Sequence, residues 1–171
     1  MTEQRAKNLL DPELHRDSCG FGLIANLDDL PSHWVVETAI EALARLTHRG
    51  AVAADGKTGD GCGLLIKVPE SFLRAVGEEK GFRLAKRFAA GTVFLSADEA
   101  VASVARETIN KALAEKGLEL AGWREVPVDP SVCGDQAKAT MPRIEQVFVN
   151  ARDTMPRGSF NRKLFLARRR A

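Results

Sequence analysis

The sequence has few cysteines, no long apolar run and no marked excess of one charge. Its three cysteines, Cys19, Cys62 and Cys133, are an odd number without Cys-x-x-Cys spacing. This pattern disfavours a disulfide framework and a zinc knuckle, and it favours free thiols in a reducing, cytoplasmic compartment. No apolar run approaches the roughly 20 residues that a membrane-spanning helix needs. We therefore expect no membrane partner, and we expect no metal or cofactor bound by this chain.

Charge is nearly balanced, with 25 Lys and Arg residues against 23 Asp and Glu residues and a net charge of +2. Basic residues are concentrated after Arg143, but this tail lacks interleaved aromatic residues suited to base stacking. We interpret the tail as a solvated helix face and expect no nucleic-acid partner.

A glycine-rich segment, Thr-Gly-Asp-Gly-Cys-Gly, occupies 58–63. It has neither the Gly-Lys-Ser/Thr end of a phosphate loop nor the spacing that opens a dinucleotide-binding helix, so a nucleotide site is disfavoured. The simplest interpretation is a tight turn that enters a strand. The glycines would also let the backbone approach a neighbouring site closely.

Composition is typical of a globular protein, with 44% hydrophobic and 28% charged residues. Periodicity and turn signals predict strands and helices without a strict βαβ repeat, which favours an α+β layered sandwich. The predicted strands cover 21–27, 64–68, 92–95, 118–128 and 144–150. The predicted helices cover 32–48, 71–76, 83–88, 96–117 and 160–170, with Ser32, Ser96 and Ser159 as candidate caps.

Cys19 lies in the segment Cys-Gly-Phe-Gly, behind a polar leader of residues 1–18 that lacks the apolar region of a secretory signal. One interpretation is a packed cysteine behind a frayed N-terminus. The other is that proteolysis makes Cys19 the first residue. A thiol titrates near about 8.5 and an α-amine near about 7.7–8.0, so the freed amine could then accept the thiol proton.

Arg49 and Gly50 follow His48 at the predicted end of a helix. Gly50 is suited to a helix terminus because glycine tolerates the left-handed conformation there. A guanidinium at Arg49 can hold a carboxylate or a carbonyl with two hydrogen bonds, and the alternative is a solvated surface arginine. For His48, a protonated side chain at a helix C-terminus is the simpler role.

The order and spacing of several short segments resemble the start of the large subunit of the glutamate synthase family, including its propeptide. These segments cover 16–22, 31–33, 46–51, 58–61, 126–129, 137–142 and 162–164. The resemblance extends over essentially the whole chain. The family's N-terminal domain is a class II glutamine amidotransferase with the four-layer αββα fold of N-terminal-nucleophile hydrolases.

The resemblance implies that Cys19 is the nucleophile exposed when residues 1–18 are removed, with Arg49 and Gly50 organising it. Cys19 would attack the side-chain amide of glutamine and release ammonia. Ammonia would then convert 2-oxoglutarate to glutamate in separate synthase domains that carry FMN and an iron–sulfur cluster, possibly with a small electron-transfer subunit as partner.

The sequence departs from the family in one respect that bears directly on activity. It contains no Asn-Gly pair, which in the family supplies the oxyanion hole, and the family's glutamine-clamping residues correspond to positions after residue 171. Loss of one oxyanion donor typically costs about 10²–10³ in turnover. We expect residues 19–171 to be a truncated front portion of the domain, with an incomplete sandwich and almost no activity alone.

Two other interpretations remain open at this point. The chain could be a non-catalytic binding or regulatory module that pairs with a complementary subunit. It could also be an N-terminal-nucleophile amidase that acts on a different amide.

Overall fold

The computed structural model describes residues 20–46, 50–59, 61–152 and 154–171. The described residues have an α+β fold that divides into two units. One unit comprises 20–53 and 59–65 with their gaps, and the other comprises 54–58 and 66–171 with its gap. The helices are α1 (His33–Ala44), α2 (Glu70–Glu79), α3 (Glu99–Glu115), α4 (Asp135–Ala139) and α5 (Arg157–Arg170), with a short 3₁₀ turn at Pro130–Val132. The strands are β1 (Phe88–Leu95), β2 (Glu119–Glu125) and β3 (Arg143–Asn150).

The three strands form one antiparallel sheet in the order β1-β3-β2. Asn150 lies opposite Phe88 on one side and opposite Glu119 on the other. The register of β2 shifts between Leu120 and Gly122. Since β3 is paired along both edges, it is the most protected strand, and its last residues, 147–150, are all buried.

Successive side chains of β3 point to opposite faces, and each face has its own hydrophobic core. Helices α3 and α5 pack on one face, and α2 packs on the other. The first core contains Leu113, Leu118, Val147, Val149, Ala151, Met155, Phe160 and Ala167. The second core contains Leu73, Val76 and Phe148, with Phe82, Leu84, Phe88 and Ala121 against it. This unit is therefore a three-layer α–β–α arrangement.

Helix α3 shows how local sequence sets the limits of an element. The Asp98 carboxylate accepts hydrogen bonds from the main-chain N–H groups of Ala100 (2.8 Å) and Val101 (3.3 Å), which caps the N-terminus. Gly117 follows the helix in the left-handed region (φ +64°), where glycine has no side-chain penalty. The predicted helix end near Gly117 is confirmed, but the cap is Asp98 and not Ser96.

Two predicted strands, 21–27 and 64–68, are not formed, and the structure corrects this prediction. Both segments are irregular, and no described residue outside them pairs with either one. Phe21, Leu27 and Leu65 are almost fully exposed, at 94%, 99% and 103%. An apolar strand is stabilised by ladder hydrogen bonds and cross-strand packing, so strand propensity without a partner does not produce a strand.

The helix predicted over 83–88 is also wrong, because this segment is a loop that leads into β1. The Arg74 guanidinium donates to the main-chain carbonyls of Leu84 (2.9 Å) and Ala85 (3.1 Å). The Asn150 side chain accepts a hydrogen bond from the Ala85 N–H (2.8 Å). Side chains therefore use the main-chain groups that a helix would need.

The remaining predicted elements are present with shifted limits. Helix α2 is longer than the predicted 71–76, and β1 begins earlier than the predicted 92–95. Helix α5 begins at Arg157 with Pro156 as its N-cap, so Ser159 does not cap it. Proline is compatible with a helix start because the first N–H groups have no partner within the helix.

A charge pair is enclosed between α3 and the sheet. Arg106 Nη1 donates to Glu145 Oε1 at 2.7 Å, and the two side chains are only 21% and 9% exposed. Arg106 also pairs with Glu99, which in turn pairs with Arg143. Glu145 thus depends on Arg106 for its compensating charge, and removal of one partner of a buried pair leaves an uncompensated charge.

We expect Arg106→Met to lower the free energy of unfolding by about 3 kcal/mol, because Glu145 would lose its nearest cation while largely buried. Urea denaturation followed by circular dichroism measures the change. Arg170→Met is the matched control, since Arg170 pairs with Glu115 at the surface (3.5 Å) and its loss should cost at most about 1 kcal/mol. Equal losses in the two variants would contradict the prediction.

Candidate functional site

The site residues expected from sequence are only partly within the described structure. Cys19 and Arg49 lie outside the described residues, and so does His48. Gly50 is described and exposed, in a bend that begins the chain after α1. The arrangement of Cys19 and Arg49 therefore stays a prediction, and the described geometry begins with the residues that follow Gly50.

A short hairpin loop follows Gly50 directly. Val52 and Gly59 form an antiparallel bridge that closes it, and we refer to residues 52–59 as the 52–59 hairpin. A Cβ atom placed on Gly59 would lie 3.4 Å from the Ala51 carbonyl oxygen, so the two arms are close at the base. The hairpin thus separates Gly50 from the glycine-rich segment by a closed turn.

The tip of the 52–59 hairpin is organised by the Asp55 carboxylate. Asp55 Oδ1 accepts hydrogen bonds from the main-chain N–H groups of Lys57 (3.0 Å) and Thr58 (2.7 Å). Asp55 Oδ2 accepts the Thr58 hydroxyl hydrogen bond at 2.5 Å. These bonds, led by that from the Thr58 hydroxyl, hold the pKa of Asp55 well below its ordinary value of 3.8.

The tip also contacts the beginning of α4, about 80 residues later in the chain. Asp55 Oδ2 accepts a hydrogen bond from the Gln136 N–H (3.4 Å), and Thr58 Oγ1 accepts one from the Ala137 N–H (3.3 Å). These two donors belong to the first turn of α4, where helix N–H groups have no partner within the helix. We call this set of hydrogen bonds the tip network.

Gly134 makes the tip network possible. A Cβ atom at Gly134 would lie 2.6 Å from the Thr58 main-chain nitrogen, and closer still to Thr58 Oγ1 and Asp55 Oδ2. Real Cβ atoms do not come this close to backbone, so any side chain at this position would displace the hairpin tip. Gly134 has an ordinary φ of −69°, so the requirement is one of space and not of backbone conformation.

Sequence reasoning identified the glycine-rich segment but missed Asp55 and the tip network. The available signal was the Asp-x-x-Thr spacing from Asp55 to Thr58, which is typical of a turn closed by a side chain. No local pattern indicated the contact with Gln136 and Ala137, because it joins distant parts of the chain. Chemically, the network holds backbone in place and carries no nucleophile of its own.

Two free thiols are described, Cys62 and Cys133. Cys62 is exposed, and Cys133 is partly buried. Within the described ranges, no group of three or more His, Cys, Asp or Glu side chains is placed to hold a metal ion. None of the helices that the described residues form is long and apolar enough to cross a membrane.

Comparison with known proteins identifies the class to which this chain belongs. The model of the class II glutamine amidotransferases matches residues 19–171, so the chain is a member of that family. The match starts at Cys19 and leaves out the 18 residues before it.

The similar proteins are glutamate synthases. The chain is 37% identical over 164 residues to the ferredoxin-dependent glutamate synthase 1 of Arabidopsis thaliana, which covers 95% of this chain. It is 39% identical over 165 residues to the large chain of the NADPH glutamate synthase of Azospirillum brasilense, again over 95% of this chain. The corresponding Bacillus subtilis protein is 35% identical over 98% of this chain. The chain spans only about a tenth of the length of these relatives, 10–11%.

We expect the Asp55 carboxyl to titrate below 3.8, and Thr58→Val to move its midpoint up towards 3.8, because the Thr58 hydroxyl is the largest cause of the lowered pKa. The side-chain carboxyl ¹³C shift measured against pH gives both midpoints. Because the folded pKa lies below the unfolded one, Asp55 stabilises the fold above about pH 4. That stabilisation is lost as the pH falls through the folded pKa. A midpoint at or above 3.8 in the unsubstituted chain would contradict this assignment.

Proposed function

We propose that this chain is the nucleophile-bearing part of the glutaminase domain of a glutamate synthase. The observation that carries the proposal is the family match, which begins at Cys19. A domain that starts at a cysteine is what an N-terminal nucleophile requires, because the free α-amine and the thiol then belong to one residue. Residues 1–18 would be a propeptide that is removed to expose that amine.

The proposed reaction begins when the Cys19 α-amine accepts the thiol proton. The thiolate sulfur attacks the side-chain carbonyl carbon of glutamine, and the tetrahedral intermediate collapses with loss of ammonia, which takes up the proton. This leaves a γ-glutamyl thioester on Cys19, and water hydrolyses it to glutamate and the free thiol. Arg49 and Gly50 would organise the nucleophile and its surroundings.

In the complete protein, the ammonia would be consumed by synthase domains that lie outside these 171 residues. There it would convert 2-oxoglutarate to glutamate with electrons passed through FMN and an iron–sulfur cluster, both held by residues of those domains. The printed names of the relatives specify ferredoxin for the Arabidopsis protein and NADPH for the Azospirillum protein. A small electron-transfer subunit is a further proposed partner. The free thiols Cys62 and Cys133 fit a reducing compartment such as the cytoplasm.

We further propose that the complete domain has the four-layer αββα fold, with a second sheet on the α2 side of β1-β3-β2. Support comes from the part of that face that α2 leaves open. Phe72 and Phe94 are 53% and 67% exposed. Arg124 Nε and Gln146 Oε1 are buried atoms without a hydrogen-bond partner among the described residues. The exposed apolar segments 21–27 and 64–68 would contribute strands once partners are present.

In the full-length synthase, Cys19→Ala should abolish glutamine-dependent glutamate synthesis and leave ammonia-dependent synthesis intact, because only the first requires the nucleophile. Steady-state assays with each nitrogen donor measure this. Cys62→Ala is the matched control and should retain both activities, since Cys62 is an exposed free thiol. Intact-mass analysis should show a mature N-terminus at Cys19. Retention of residues 1–18 in the active protein would contradict the proposed processing.

The chain alone should be nearly inactive, because it contains no Asn-Gly pair to supply the oxyanion hole. We expect glutamine hydrolysis by isolated residues 19–171 to be at least about 10³-fold slower than by the parent enzyme. A coupled glutamate assay on both proteins measures the ratio. Turnover restored by a separate subunit with an Asn-Gly loop would instead favour the alternative function, a module that pairs with a complementary subunit.

A further inference from the structure

The 52–59 hairpin lies between two segments of functional interest along the chain. Arg49 and Gly50 precede it, and the glycine-rich segment 59–63 begins at its last residue. Two residue steps separate Gly50 from the bridge that closes the hairpin at Val52. Since one residue spans at most about 3.6 Å, a fixed hairpin leaves Gly50 little freedom.

The hairpin is held at its tip as well as at its base. Asp55 receives hydrogen bonds from Lys57, Thr58 and Gln136, and Thr58 receives one from Ala137. Such a turn closes without outside partners when its only task is to reverse the chain. The two bonds to α4 are additional, and they require position 134 to remain glycine.

We propose that Asp55 and Thr58 are positioning residues of the amidotransferase site, which anchor the 52–59 hairpin on α4 and thereby fix Arg49 and Gly50. The proposal rests on the proposed function, because it takes the roles of Arg49 and Gly50 from it. Asp55 and Thr58 touch no substrate and act through the backbone of the hairpin. A displacement of about 1 Å in a reacting constellation costs about 10² in rate, so loss of an anchor should be visible in turnover.

The test compares Asp55→Asn and Thr58→Val with the parent enzyme in the full-length synthase. Each variant should lower kcat/KM for glutamine between about ten- and a hundredfold and leave ammonia-dependent synthesis unchanged. The rate at which a glutamine-like electrophile labels Cys19 should fall in parallel. Thr58→Ser should restore near-parental values, since serine keeps the hydroxyl that donates to Asp55 and accepts from Ala137.

Lys57→Ala is the matched control. Lys57 contributes its main-chain N–H to the tip network, and alanine keeps that group. This variant should therefore equal the parent in both assays. Gly134→Ala should reproduce the loss seen with Thr58→Val, because the added Cβ would displace the same contacts.

Two results would overturn the proposal. The first is a lowered melting temperature in Asp55→Asn and Thr58→Val with unchanged kinetics for glutamine well below that temperature, which would show a purely structural role. The second is an equal loss with both nitrogen donors, which would show a general defect. Failure of the proposed function gives a different result, because Cys19→Ala would then keep glutamine-dependent synthesis.

Discussion

Pairing of β3 along both edges is the constraint on which the larger unit depends. Phe148, in the middle of the sheet, has no exposed surface. Its ring lies 5.1 Å from that of Phe82, in a tilted arrangement. Phe82 in turn packs against Gly77 and Gly122, where a Cβ atom would collide with its ring. Helix α2, the loop after it and the edge strand β2 are therefore located by one aromatic pair and two glycines.

The part of the fold that local sequence could predict is the part with local causes. Helix α3 has a capping aspartate and ends before a glycine with positive φ, so its end is readable from sequence. The central strand β3 was predicted almost to the residue, as 144–150. In contrast, 21–27 and 64–68 have strand composition but no pairing partner, and a strand without a partner has no place for its hydrogen bonds. Propensity describes a segment, whereas pairing depends on the rest of the sheet.

The candidate site divides in the same way. Cys19 is recognisable because its chemistry needs one residue at one place, and the family match begins there. The roles of Arg49 and Gly50 came from resemblance alone. The anchoring of the hairpin on α4 could not be foreseen, because its hydrogen bonds join Asp55 and Thr58 to the distant first turn of α4. Contacts of this kind are set by tertiary structure and leave only weak local patterns.

The empty space at Gly134 has a consequence for how this region can change over evolution. The Asp55 carboxylate and the Thr58 hydroxyl occupy the volume that a side chain at position 134 would fill. A substitution at 134 is therefore tolerable only together with a smaller or differently placed group at 55 or 58. Related chains should consequently exchange these three positions as a set, and chimaeras that combine the hairpin of one homologue with the α4 of another should fail wherever the two parents differ there.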